Sequence, residues 1–393
     1  MSKRVAEFFA GIGLMRMGLD LAGWQTVWAN DIDEKKWEMY RDHFREDATH
    51  FVLGDVHEVQ GAAMPDCELV TASFPCNDLS LAGSRHGLAG IHSSAFWGFI
   101  EVLRGMGNRK PPLVLLENVV GFLSSHDGND FRDALLALNE LGYAVDALIV
   151  DASRFVPQSR HRLFVVGKRD VEKSPRVCEE GFYQGNARPA ALADFIFMHP
   201  EIRWDIRPLP ALPDSTLRLH DIVEDVPLNS EIWWSRDRCD YLMNQMSPKH
   251  LAEAKAMMAG RNWSYGTVFR RVRNGRSMAE LRTDGIAGCL RTPRGGSGRQ
   301  ILFCAGRGEF RVRLVTPREC ARLMGADDYT IKSSLNQALF GFGDAVCVPV
   351  IRWVAENYLN PLLEELCPPP AISLAAPKAV NYLKKTSAAR KAV

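Results

Sequence analysis

The nine cysteines of this 393-residue chain show no pairing pattern. They stand scattered at positions 67, 76, 178, 239, 289, 304, 320, 347 and 367, an odd number with no Cys-x-x-Cys spacing, so neither a disulfide framework nor a structural zinc site is expected. Long apolar runs are missing too: no segment reaches the roughly 18 uninterrupted apolar residues of a membrane span. Lys3 and Arg4 lead into Glu7 and a glycine-rich turn instead of an apolar stretch, so no secretion leader is expected, and a reducing cytoplasm is the expected compartment. Neither sign of charge is in excess, since 48 Lys+Arg against 47 Asp+Glu leave +1, and the whole chain gives no hint of a polyanionic partner. With 46% hydrophobic and 24% charged residues, collagen-like, coiled-coil and wholly disordered chains are excluded. The length suits two domains, or one with a large insertion.

The first 170 residues alternate short apolar runs with helix-patterned segments, the mark of a wound parallel sheet covered by helices. Strands are expected near Val5–Phe9, Thr26–Asn30, Phe51–Leu53, Leu69–Ala72, Leu113–Leu116, Ala147–Val150 and Leu163–Gly167. Leu14, Met17 and Leu21, and later Phe131, Leu135 and Leu138, recur at helical spacing. Beyond Arg169 prolines interrupt the pattern, and the middle of the chain reads as a separate, irregular region. Regularity returns at Thr316, with Pro317 opening a helix that Gly325 closes, and a further, buried helix is expected from about Asp344 to Leu359. From Cys367 the chain reads as a loose basic tail.

The carboxyl ends of the expected strands carry the chemistry. The first ends in Phe9-Ala10-Gly11-Ile12-Gly13, a turn where a ligand could approach the backbone, although a dinucleotide fingerprint would need glycine where Arg16 stands. Asp31 ends the second strand and Asp55 follows the third, where carboxylates suit ribose hydroxyls; either alone would serve equally as a turn cap. The fourth strand leads to Pro75-Cys76 and the fifth to Glu117-Asn118-Val119, so a thiol and a carboxylate from neighbouring strands converge on one edge.

These motifs, with Gln158-Ser159-Arg160-His161-Arg162, Arg313 to Gly325 and Gly343-Asp344-Ala345-Val346, occur in an order that resembles the DNA (cytosine-5)-methyltransferases of bacterial restriction-modification systems. The resemblance implies an α/β fold: a Rossmann-like, mostly parallel seven-stranded sheet of the S-adenosylmethionine-dependent methyltransferase type, with a smaller irregular target-recognition domain. It implies a catalytic domain from residues 1–168 together with 335–366, a recognition domain over 169–334, and a flexible tail over 367–393. Cys76 would be the nucleophile, Glu117 would hold the base amine and ring nitrogen, Arg162 the base carbonyl, and Arg160 a phosphate or the closed loop. The cofactor S-adenosylmethionine would lie against Phe9, Ala10, Gly11, Ile12, Gly13, Asp31, Ile32, Asp55, Val56, Pro75, Asp344, Ala345 and Val346, with Phe9 on the adenine, Asp31 on the ribose and Asp55 on the adenine amine. Ser80, Arg85, Gln158, Arg291, Arg294, Ser297 and Arg299 would meet double-stranded DNA. No metal is implied. The chain would act as a monomer on nucleoid DNA in a bacterial cytoplasm, alongside a possible endonuclease for the same site.

Leu14, Ser73, Asn77 and Asp344 depart from the family's usual residues without removing a catalytic group. Residues 261–322 hold fourteen arginines, no lysine and four acids, a local net charge of +10 suited to phosphates and guanine edges. Three alternatives compete with this reading. An amino-methyltransferase would use an Asn/Asp-Pro-Pro-aromatic loop without a thiol; a tRNA cytosine-5 methyltransferase would carry a Cys-Phe-Thr signature, which this sequence lacks; an inactive DNA-binding regulator would have no need of Cys76, Glu117, Arg160 and Arg162.

Overall fold

The computed structural model describes residues 2–75, 94–169, 176–177, 185–273, 275–292 and 298–366. Seven strands form its central sheet: β1 (Arg4–Phe8), β2 (Gln25–Asp31), β3 (Phe51–Leu53), β4 (Leu69–Ala72), β5 (Leu113–Val119), β6 (Tyr143–Asp151) and β7 (His161–Arg169). Each apolar run assigned to a strand from the sequence is one. The order is β3-β2-β1-β4-β5-β7-β6, parallel except that β7 runs antiparallel to both β5 and β6. Strand order reverses between β1 and β4, and the crevice beyond their carboxyl ends is the place where such sheets bind ligands.

Alternation along the strands sorts side chains to two apolar cores, one on each face of the sheet. Val5, Leu69, Leu113, Leu115 and Leu148 belong to one; Ala6, Phe8, Val70, Val114 and Leu116 to the other. Helix α4 (Asn129–Glu140) buries the stripe foreseen for it, Phe131, Leu135 and Leu138, in the second core, whereas in α1 (Leu14–Leu21) Leu14 is buried in the first core and Met17 packs against it, but Leu21, expected on the same stripe, is 57% exposed and Leu19 is buried instead. Helices α2 (Glu34–Phe44) and α3 (Ser94–Gly105) complete the layers.

The carboxyl-terminal end returns to the amino-terminal one. The single helix expected from Asp344 is instead broken: Leu335–Asp344 ends there, Ala345 is extended, and a new helix covers Val348–Val354 before the chain continues through a π-turn to Asn360–Leu366. Pro349 explains the restart, because proline without an N–H is tolerated in a first helical turn and not further in. The stretch Leu335–Leu366 is long and apolar enough to span a membrane, but 72% of its most apolar window is buried inside the protein, so that surface is spent on the first core. Helix packing there is tight: a side chain at Gly18 of α1 would meet Ile351 at 2.6 Å.

The middle region, expected to be irregular, contains ordered elements. Beyond a short ladder of β8 (Arg176–Val177) with β9 (Asp205–Ile206) lies a four-stranded antiparallel sheet, ordered β11-β10-β12-β13, made of β10 (Ser264–Arg273), β11 (Arg276–Arg282), β12 (Ile301–Gly306) and β13 (Glu309–Leu314). One face packs Val268, Ile301, Phe303 and Val312 against the helices Arg236–Asn244 and Pro248–Met258. The two-residue period is present in β13, where Phe310 and Val312 alternate with Arg311 and Arg313, but the density of arginine draws attention to charge and away from alternation.

The helix Pro317–Leu323 joins this region to the first core. Thr316 accepts from the N–H of Glu319, whose carboxylate accepts from the N–H of Thr316. The same carboxylate takes two hydrogen bonds from Arg313, at 2.7 and 2.5 Å, and both side chains are sealed from solvent. Breaking a buried pair strands the remaining charge. Glu319→Ala should therefore lower unfolding free energy by about 3–5 kcal/mol in denaturant titration, and replacing both residues by methionine and leucine should cost less than the single change.

Candidate active site

The carboxyl ends of β1, β2, β4 and β5 surround a cleft of about 310 Å³. The turn after β1 contributes Phe9, Ala10, Gly11 and Ile12, the end of β2 contributes Asp31 and Ile32, and Pro75 follows β4. Asp344, Ala345 and Val346 close the cleft from the carboxyl-terminal side, and Glu117 and Arg162 stand at its β5–β7 side. Three residues expected at the cofactor are absent from the wall. Gly13, at φ +83°, starts α1 and packs on Tyr40 and Phe44; Asp55 accepts from the N–H of His57 at 3.0 Å; Val56 is buried in the second core.

Backbone conformation makes the floor of the cleft. Phe9 and Gly11 both adopt φ +57°, a left-handed turn that glycine takes without strain and phenylalanine does not. The N–H of Gly11 donates to Asp31 Oδ2 at 2.8 Å and that of Asp33 to Oδ1 at 2.9 Å, so the carboxylate fixes the turn and still has lone pairs facing outward. Burial raises the Asp31 pKa, with Lys36 and the two backbone donors opposing it. Lys36 lies 2.8 Å from Asp344, which neutralises the extra negative charge that Asp344 brings to this wall. Burial lowers the Lys36 pKa, but Asp344 and Asp31 outweigh it and hold it above the ordinary lysine value.

Glu7, in the middle of β1, went unnoticed in the sequence although an acid inside a buried parallel strand is a signal in itself. It lines the cleft, is 2% exposed and leaves Oε2 without a partner. Burial pushes its pKa up to about 8, against the pull of Arg16.

On the opposite side, Arg162 Nε lies 3.0 Å from Glu117 Oε1, both largely buried. Asn118 donates to the carbonyl of Phe74 at 3.4 Å, tying the ends of β4 and β5 together. Gln158 and Arg160 are both buried and bonded to backbone. Gln158, expected at DNA, is fully buried; its Nε2 donates to the Leu323 carbonyl at 2.7 Å and its Oε1 accepts from the N–H of Leu290 at 2.9 Å. Arg160, expected at a phosphate or closing loop, is 2% exposed and donates to the carbonyls of Leu290 at 2.9 Å, Gly343 at 3.1 Å and Ala345 at 2.6 Å. Arg160 fastens the loop before β12 to the cleft wall and Gln158 fastens it to the helix Pro317–Leu323, an inward direction the motif does not encode. Arg160 also donates to Cys289 Sγ at 3.2 Å. Burial raises the Cys289 pKa, but Arg160, Arg162 and Arg291 overcome it and hold the thiol below its ordinary value.

Of the remaining expected DNA contacts, Arg291 is exposed with its guanidinium 5.5 Å from the centre of the Phe269 ring, and Arg299 is half-buried, donating to Asn336 Oδ1 at 2.7 Å. Cys76, Ser80, Arg85, Arg294 and Ser297 lie outside the described residues.

A 3-2-1-4-5-7-6 sheet with an antiparallel seventh strand and a cleft at the carboxyl ends is the architecture of S-adenosylmethionine-dependent methyltransferases. The family model described as C-5 cytosine-specific DNA methylase matches residues 3–360, and the chain belongs to that family. It is 26% identical over 365 residues to the type II methyltransferase M.Bsp6I of Bacillus sp. (strain RFL6), covering 92% of this chain and 99% of that protein. It is 27% identical over 360 residues to the type II methyltransferase M.HhaI of Haemophilus parahaemolyticus, covering 90% and 93%. Among solved structures, the Dnmt2 methyltransferase of S. pombe superposes with a TM-score of 0.61 at 19% identity, over 93% of this chain and 100% of that one, a likeness of fold.

Glu7 generates a pH prediction. Unfolded, this carboxyl loses its proton near 4.5; folded, it keeps the proton to about 8. The folded state thus binds more protons between those values, and its stability falls as pH rises through the window. Glu7→Gln should remove that slope and exceed the parent in stability by roughly 2–5 kcal/mol above about pH 8. Denaturant unfolding at acidic and alkaline pH measures both quantities, and parallel pH profiles for the two proteins would refute the assignment.

Proposed function

We propose that this chain transfers a methyl group from S-adenosylmethionine to carbon 5 of a cytosine flipped out of a specific duplex DNA sequence, through a covalent adduct between Cys76 and carbon 6. The observation that carries the reading is the Glu117–Arg162 pair, 3.0 Å apart, facing the same cleft as the Gly11–Asp31 turn and Pro75, the residue before Cys76.

The cleft suits the cofactor. The left-handed turn at Phe9 to Gly11 opens backbone toward a ligand, Asp31 has lone pairs left for ribose hydroxyls, and Phe9, Ile32 and Pro75 offer apolar surface for an adenine. When bound, S-adenosylmethionine supplies an electrophilic methyl group. The protein must make carbon 5 nucleophilic, which a thiolate does by adding to carbon 6 and pushing electron density onto carbon 5. Glu117 holds the exocyclic amine and the protonated ring nitrogen, stabilising the charge that develops as Cys76 adds, while Arg162 meets the base carbonyl. An ordered water then takes the carbon 5 proton, and the sulfur of Cys76 leaves with restoration of the ring double bond. A stacked base cannot enter this cleft, so the target must be extruded from the duplex.

Residues 1–168 together with 335–366 form the catalytic body in this reading, and 169–334 the recognition domain. The burial of Val315, Cys320, Leu323 and Met324 in the first core draws the helix Pro317–Leu323 to the catalytic side of that boundary. The names of the type II relatives support a place beside a restriction endonuclease, on DNA in a bacterial cytoplasm.

Three measurements test the proposal. Cys76→Ala should abolish transfer of labelled methyl to duplex DNA, and a duplex carrying 5-fluorocytosine should trap the parent protein as a covalent adduct. Arg162→Ala should lower turnover by about 10²-fold or more while leaving cofactor binding close to that of the parent. Near-normal turnover in Cys76→Ala would sink the mechanism.

A further inference from the structure

The arginines of residues 261–322 divide into two populations. Several are neutralised within the domain: Arg273 by Glu280, Arg282 by Asp284, Arg313 by Glu319 and Arg322 by Asp327. Arg270 and Arg299 are not. Neither has a carboxylate partner among the described residues; the Nε of each is buried without a hydrogen bond, a feature shared with the paired Arg311 and Arg313.

Strand register brings these two side by side. The β10–β12 ladder ends at the pair Val268 and Ile301; Arg270 lies two residues beyond Val268 on the same face of β10, and Arg299 two residues ahead of Ile301, just before β12 begins. Val268 and Ile301 pack with Cys239 of the helix Arg236–Asn244 in one core. Continuing along that face, the sheet passes from this apolar contact to Arg270 and Arg299, and the residue before Cys239 is Arg238. Its exposed guanidinium is held 3.7 Å over the ring of Trp234 and likewise has no acid partner. Arg238 thus stands beside the core contact from which Arg270 and Arg299 each lie two residues away; burial, then the charge of Arg270 and to a smaller degree that of Arg299, lower the Arg238 pKa against the opposing effect of Cys239. Like charges from a helix, a strand and a loop converge here, a repulsive arrangement that an anion relieves.

Its location points to the anion. Arg299 donates to Asn336 in the first turn of the helix Leu335–Asp344, whose last residues line the cleft about 12 Å further along that helix. A polymer lying across the cleft mouth therefore passes this cluster.

We propose that Arg238, Arg270 and Arg299 clamp one phosphodiester of the duplex, gripping DNA without regard to its sequence. The clamp rests on the DNA-methyltransferase reading for its ligand, and guanidinium forks match phosphate oxygens in geometry and charge. Sequence is then read elsewhere in the domain, since phosphate contacts position the protein and carry no base information.

The test is duplex binding by fluorescence anisotropy from about 50 to 200 mM salt, for the full chain and for Arg238→Gln/Arg270→Gln. The double variant should bind on the order of tenfold more weakly, with the slope of log affinity against log salt reduced by about one. The loss should be equal on unrelated sequences, with S-adenosylmethionine binding and thermal melting like those of the parent. Arg270→Lys should recover part of the slope. Arg236→Gln, which removes a neighbouring arginine already paired with Asp240 at 3.2 Å, should leave it unchanged. An unaltered slope in a double variant that still binds cofactor overturns the clamp, even if methyl transfer proceeds normally. A loss confined to one sequence would make the cluster a base reader and overturn it equally. A reduced slope in a protein whose parent transfers no methyl to DNA would uphold the clamp and remove the catalytic reading instead.

Discussion

A guanidinium almost sealed from water stays charged only where acceptors surround it. Arg160 meets that constraint with carbonyls from two distant places, Leu290 on the loop before β12, and Gly343 and Ala345 on the cleft wall. Three segments far apart in sequence must hold their backbones in place around one ion. Gln158 repeats the arrangement one layer deeper, with its amide between Leu290 and Leu323. The loop bearing Arg291 is thus fixed to the cleft wall, and Gly343 comes so near it that an added side chain would meet the Arg291 backbone at 2.7 Å. The second sheet and the cleft are fastened together by buried hydrogen bonds, and not by apolar packing alone.

Charge follows the same division of labour. Glu7, Asp31, Asp33, Glu117 and Asp344 face the cleft, tempered by Lys36 and Arg162, whereas the second sheet and its flanks carry the surplus of arginine. The near-zero total conceals two regions of opposite character. Repulsion among the cleft carboxylates is limited because one is poised to hold a proton, two are hydrogen-bonded by backbone and two are paired with cations.

The central sheet was legible because a parallel strand buried on both faces reads as an unbroken apolar run, and all seven runs are short and bounded by turns. The second sheet was not, because its alternation, as in β13 where Phe310 and Val312 alternate with Arg311 and Arg313, lies in a segment whose prolines, glycines and fourteen arginines read as irregular and charged. At the cleft, Phe9 to Ile12, Asp31 and Asp344 to Val346 line one space, and for the first two groups the strand ends fix that location. Motifs say nothing about which way a long side chain turns. That is why Gln158 and Arg160 could be named without their inward direction, and why Glu7, outside any motif quoted, required the burial of its strand to be noticed.

One wall of the cleft comes from the first forty residues and the facing wall from residues 341–346. Tyr329 donates to the Ile12 carbonyl at 2.8 Å and Trp24 to Asn360 at 2.9 Å, each closing a loop of more than three hundred residues. During synthesis the strands β1 to β7 are available long before the helix that completes the site leaves the ribosome. A chain interrupted before residue 341 has every strand of the sheet and only half a pocket. The two walls of the cleft therefore meet only after residue 346 has been added, and translation itself sets the moment at which the cleft exists.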